Sequence, residues 1–205
     1  MKKRAKFFKE FQQFGTALML PVSVLPVAGF MMGIGFLLKN ETLLQICTFL
    51  NGEFFRAAAA MLQSISGIIF SNLALLFAMG VAAGMTEDSG TSAFSGALGL
   101  LMMHSTISLV MRITPETVAE NGYMFTNVLG INSLQMGPFG GIIIGYIVSL
   151  VYRRFHQVKL PDMLNLFSGK RCVPLIVSAV SIALGVFFSF AWPPVQHLQI
   201  GRAHV

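Results

Sequence analysis

Charge is what this chain has least of. Asp, Glu, Lys and Arg make up 11% of its 205 residues, against roughly 25% in an ordinary soluble domain. Too few polar groups are present to cover a water-facing surface, which excludes a soluble globule. Cysteine is scarce as well. Cys47 and Cys172 stand far apart without CxxC spacing, so neither a disulfide framework nor a cysteine metal site is indicated. No phosphate-cradling GxxxxGK[ST] loop, GxSxG elbow, metal-ligand cluster or nucleophile–base pair occurs. That excludes an ATPase and points away from a self-contained enzyme, so no catalytic residue, metal ligand or cofactor is assigned. A cleavable leader is not indicated either, because the first apolar run is too long and lacks a small-residue cleavage site.

What the chain has in quantity is apolar. Hydrophobic residues account for 55%, with 19 Phe, 20 Gly and 13 Met. At about 20 residues per crossing plus a loop, this length allows about five or six transmembrane helices. The net charge of +6 does not imply nucleic acid. The basic residues flank apolar runs, in the first ten positions and again at 152–171, where they serve as topology signals and contacts for anionic lipid.

Taken in order, residues 1–15 read as a basic interfacial helix, with Phe7, Phe11 and Phe14 on one face. The first span, 16–38, contains Pro21 and Pro26. Each removes a helix hydrogen bond, so the span is expected to be kinked or broken near its start. Residues 39–56 form a charge-balanced loop with a short amphipathic helix at 42–50, and the second span falls at 65–85. Glu87 and Asp88 make an acidic turn whose simplest role is to cap the next helix. The third span is 89–111. Residues 125–136 are too polar to cross and read as interfacial or re-entrant. The fourth span is 137–151, the basic loop is 152–171, and the fifth span is 172–192, ended by Trp192-Pro193-Pro194. Basic segments stay in the cytoplasm, which puts the N-terminus and the loops at 86–90 and 152–171 inside. The fold class is therefore all-α and integral to the membrane. GxxxG spacings at Gly29/Gly33, Gly80/Gly84 and Gly137/Gly141/Gly145 permit close helix approach, for a compact bundle or an oligomer contact.

One ionisable residue lies well inside a span: His104. An intramembrane histidine is by default a functional hypothesis, but Ser105, Thr106 and Ser108 beside it also suit a hydrogen-bonded structural role. Together with Glu87 it would have to carry any ion- or proton-coupled transport. The other surface with chemistry is the basic loop, with Arg153, Arg154, Lys159, Lys170 and Arg171 against the single acid Asp162. Its positive potential would steer an anionic partner.

The wording of that loop carries a resemblance. Arg154-Phe155, Leu160-Pro161, Phe167-x-Gly169-x-Arg171-x-x-Pro174 and Trp192-Pro193, with Phe11-Gln12-x-x-Gly15, Met19-Leu20-Pro21-Val22, Gly33-Ile34-Gly35, Phe77-Ala78-x-Gly80-Val81-Ala82 and Leu129-Gly130-Ile131-x-Ser133 upstream, are similar to the membrane subunit IIC of the sugar phosphotransferase system. The similarity is to the glucose superfamily, maltose/glucose type. It implies a permease in the bacterial cytoplasmic membrane, driven by phosphoenolpyruvate, that takes up a glucose- or maltose-type sugar and presents it to IIB, itself phosphorylated by IIA. It implies a homodimer, with residues 16–199 as the scaffold and dimer-interface half, and the basic loop as the IIB-facing surface. The family's sugar-site motifs, Pro-Phe-Gly-x-His-His and Gly-x-Thr-Glu-Pro, are absent. Pro138-Phe139-Gly140 matches three letters but continues Gly141-Ile142, so no sugar-binding residue is assigned. Residues 200–205, Ile-Gly-Arg-Ala-His-Val, read as translated sequencing adapter. The alternatives are a non-catalytic membrane assembly or regulatory module, and an ion-coupled secondary transporter.

Overall fold

A computed structural model describes residues 2–158 and 168–200. Nine α-helices and one short β-hairpin are found among them, in keeping with the expected all-α class. Four helical stretches are long and apolar enough to cross a membrane: Phe8–Leu37, Glu53–Ser71, Ser89–Met111 and Gly169–Gln196.

The first stretch is two helices. α1 (Lys2–Val22) runs without interruption through Gly15, so the basic N-terminal segment and the start of the first span form one rod. α2 (Leu25–Leu37) follows after a break at Ser23 and Val24. Pro21 lies in the last turn of α1 and Pro26 in the first turn of α2, where a missing N–H is tolerated. α2 turns back through α3 (Glu41–Ile46) and a 3-10 turn (Thr48–Asn51) into α4 (Glu53–Ser71). α2 and α4 pack antiparallel, with Gly35 against Ala59 and Gln63 and Lys39 Nζ donating to Gln63 Oε1 at 2.8 Å.

The second span expected at 65–85 is not one helix. α4 stops at Ser71 and α5 (Leu73–Gly84) begins anew after Asn72. The cause is local. Ser71 Oγ donates to Gly67 O (2.8 Å) and Asn72 Nδ2 to Ile68 O (2.8 Å), while the Asn72 N–H is shared between the Ile68 and Ile69 carbonyls (3.2 and 3.3 Å), so side chains compete with the backbone where the helix ends. The crossing moves N-terminally into α4, and α5 becomes a short inner helix.

α5 is the axis of the bundle. Its sequence, LALLFAMGVAAG, presents little side-chain bulk, and three helices close on it. α6 (Ser89–Met111) brings Gly96 against the Ala78 carbonyl, and α8 (Gly137–Phe155) brings Gly141 and Gly145 against Ala74, Ala78 and Val81. α1 places Pro21 over Gly80 and Ala17 over Gly84. The core then extends through Leu100, Met103, Ile144, Val148 and Val177, all fully buried. Of the GxxxG pairs, Gly80/Gly84 and Gly141/Gly145 are thus helix contacts, whereas none of the described residues approaches Gly29 or Gly33.

Residues 125–136, expected not to span, form an antiparallel hairpin of β1 (Phe125–Val128) and β2 (Ile131–Leu134) after the short α7 (Pro115–Glu120). Leu129 (φ 51°) and Gly130 (φ 88°) make its two-residue turn with both φ values positive, the twist that suits a tight hairpin. Asn127 Oδ1 accepts from the Gly130 N–H at 2.8 Å.

α9 (Cys172–Ile200) corrects a second boundary. It continues through Pro193 and Pro194 rather than ending at them. In an apolar surrounding a broken backbone would strand more polar groups than the two N–H groups that the prolines lack. The end of the helix is also held: Gln196 Nε2 donates to Met124 O and Gln135 O, both at 3.1 Å.

Candidate functional site

Three polar arrangements stand out on this frame. The first is the buried pair of His104 and Ser133. His104 lies on α6, 1% exposed, with Nδ1 2.8 Å from Ser133 Oγ, which is itself fully buried on β2. The neighbours suggested by the sequence, Ser105 and Ser108, have no described bond to it, and Thr106 Oγ1 donates to its own helix at Met102 O. The bond joins α6 to the hairpin. Nε2 of His104 has no partner among the described residues.

The second is the start of α6. Asp88 caps it as expected, accepting from the Thr91 N–H at 3.0 Å, and it also forms an ion pair with Lys170 at 2.8 Å. The Lys170 ammonium first, and the Thr91 N–H second, lower its pKa from 3.8 to about 2. A carboxyl held below its unfolded value contributes stability above that value and loses it as pH falls through the folded one. Thermal melts in detergent should therefore show a decline between pH 4 and pH 2 that is shallower in Lys170→Met. Identical acid profiles would remove the ion pair from the account.

The third is the junction of α1 and α8. Arg153 donates to Glu10 Oε1 at 3.1 Å and to Gln13 Oε1 at 3.2 Å, across 143 residues of chain. His156 stacks on Tyr152 with ring centroids 4.8 Å apart. Beside them a cavity of about 770 Å³ opens, lined among others by Lys9, Glu10, Glu87, Arg153 and His156.

The basic loop therefore does not present five equivalent charges. Arg153 is tied to α1 and Lys170 to Asp88. Arg171 is exposed but engaged, Arg154 is exposed at the end of α8, and Lys159 lies outside the described residues. Glu87 is exposed at the opposite end of α6 from His104. The 16 residues from Asp88 to His104 span about 24 Å at about 1.5 Å each, so Glu87 and His104 do not form one ion site. Cys47 is exposed and Cys172 buried, and both are free. Pro138 and Phe139 start α8, with Phe139 turned outward at 60% exposure. Residues 201–205 of the suspected adapter segment also lie outside the described residues.

Sequence reasoning missed Ser133, Glu10 and Gln13 as partners. The lone acid Glu10 within a basic run was the one local signal, since an unmatched sign commonly marks a partner elsewhere.

The family described as "Phosphotransferase system, EIIC" matches residues 15–203. The glucose-specific EIICBA component of Staphylococcus carnosus (strain TM300) is 39% identical over 191 residues, 93% of this chain and 28% of that protein. The corresponding protein of Staphylococcus saprophyticus is 38% identical over 191 residues, with the same coverage. The chain thus spans little more than a quarter of the length of these relatives.

Proposed function

This chain belongs to the EIIC family of the phosphotransferase system, and on that premise we propose that it serves a phosphoenolpyruvate-dependent permease that takes up glucose or a closely related sugar and hands it over for phosphorylation. The observation that carries the reading is the match across residues 15–203, supported by relatives that are glucose-specific EIICBA components. Residues 16–199 supply scaffold and dimer contacts, and IIB and IIA supply the phosphoryl group. The open Gly29/Gly33 face of α2, with Phe30 and Phe36 exposed nearby, supports packing against a second copy. The N-terminus and the 152–171 loop face the cytoplasm of a bacterial inner membrane, by the positive-inside argument. Arg154 is the described member of that loop best placed to meet a phosphorylated, anionic IIB.

Complementation tests this reading. The S. carnosus polypeptide, deleted of the 191 residues matched here, should be inactive alone, and co-expression with this chain should restore phosphoenolpyruvate-dependent glucose phosphorylation in membranes. Failure to restore it, with both pieces shown to be inserted, would count against the assignment. In the restored system Arg154→Glu should slow phosphotransfer severalfold at low salt and little at high salt, because steering by exposed charge is screened.

A further inference from the structure

α1 and α8 both lie against α5 but leave a cleft between them. Its volume is about 580 Å³, and Phe11, Phe14, Ile143, Tyr146, Ile147 and Leu150 line it. Phe14 and Tyr146 meet edge-on across it at 6.1 Å. Phe11 and Leu150 remain 68% and 46% exposed. At one end stands the Arg153–Glu10 ion pair, and Glu10 lines both the apolar cleft and the polar cavity beyond. The apolar cleft therefore adjoins, through Glu10, a chamber lined by Lys9, Arg153 and His156.

The dimensions match one leaflet. From Ile142 to Arg153 is 11 residues of α8, about 16 Å at about 1.5 Å each, and half of a hydrocarbon core of about 30 Å is about 15 Å. The ends match in chemistry as well. A guanidinium has five N–H donors, of which Glu10 and Gln13 engage two in the bonds described, so Arg153 can still meet a phosphate while Glu10 holds it in place. Lys9 lines the same chamber, which gives this end a second positive charge besides Arg153. A soluble phosphate compound would use the polar chamber and leave the adjoining apolar cleft unexplained.

We propose that the α1–α8 cleft is a binding site for one anionic phospholipid, with an acyl chain against Phe11, Phe14, Tyr146 and Leu150 and its phosphate at Lys9 and Arg153.

Native mass spectrometry of the detergent-purified chain, titrated with phosphatidylglycerol, tests this. A dominant one-lipid adduct is expected, and Lys9→Gln/Arg153→Gln should weaken it about tenfold, which corresponds to about 1.4 kcal/mol. Leu150→Trp, which fills the cleft and leaves the charges alone, should weaken it comparably. Thermal melts of each variant separate loss of the site from loss of the fold, and Leu150→Trp keeps the test open if the double variant is unstable. The proposal fails if lipids add in a statistical series with no dominant species, if both variants bind as the parent does, or if inorganic phosphate alone displaces the adduct.

Discussion

Gly141→Val is expected to lower the unfolding free energy in detergent by about 3 kcal/mol, the upper end of the usual cost of overpacking a close-packed interior. A Cβ at position 141 would run into the carbonyl oxygen of Ala74 and approach the Ala78 nitrogen within 3.0 Å. Both obstacles are backbone, so no rotamer change relieves them. The helices must separate, and the shift would disturb the contact of Gly96 of α6 with the Ala78 carbonyl as well. Thermal unfolding followed by circular dichroism would show the loss. Gly29→Val, at a site with open space, is the matched control and should change stability little. Equal effects at the two positions would mean that α5 and α8 are not packed as described.

His104→Ala is expected to cost about 3 kcal/mol, combining a cavity in the core with a buried Ser133 hydroxyl left without its partner. Ser133→Ala should cost less, and the double variant should show a coupling of about 1 kcal/mol, the scale of hydrogen bonds inside membrane proteins. A zero coupling energy would break the link drawn between α6 and the hairpin. The same substitution separates two transport mechanisms. If His104 is structural, phosphorylation-driven uptake should survive in proportion to the protein that remains folded. A complete loss of transport by well-folded His104→Ala protein would instead give the histidine a direct part in coupling.

The features legible in the sequence were those written in a single continuous stretch. Ser89–Met111 appears as α6 at the expected boundaries, because the Asp88 cap and the return of charge at Arg112 mark both ends. The break between Pro21 and Pro26 was equally plain, since Pro26 suits the first turn of a new helix. The break at Asn72 was harder. Ser71-Asn72 interrupts an otherwise apolar run without proline or charge, and only the bonds of these side chains to Gly67 and Ile68 reveal it. The path of α9 through Pro193 and Pro194 depends on Gln196 reaching Met124 and Gln135, more than 60 residues away. The partnerships of His104 with Ser133 and of Arg153 with Glu10 are likewise long-range. No periodicity encodes them, because they depend on which helices α5 brings together.

The two helix breaks have a joint mechanical meaning. Ser23-Val24 and Asn72 are the two points at which the antiparallel pair α2–α4 joins the rest of the chain, and both lie at the same end of that pair. α2 and α4 pack on each other and touch little else. The pair is therefore joined to the rest at one end, a geometry in which a few residues at element ends could absorb a rigid-body swing. α2 alone is about 20 Å long at about 1.5 Å per residue, so a tilt of about 10° would move its far end by about 3 Å. Cys47, the exposed one of the two cysteines, stands near that far end, where an attached spin label would report such a tilt.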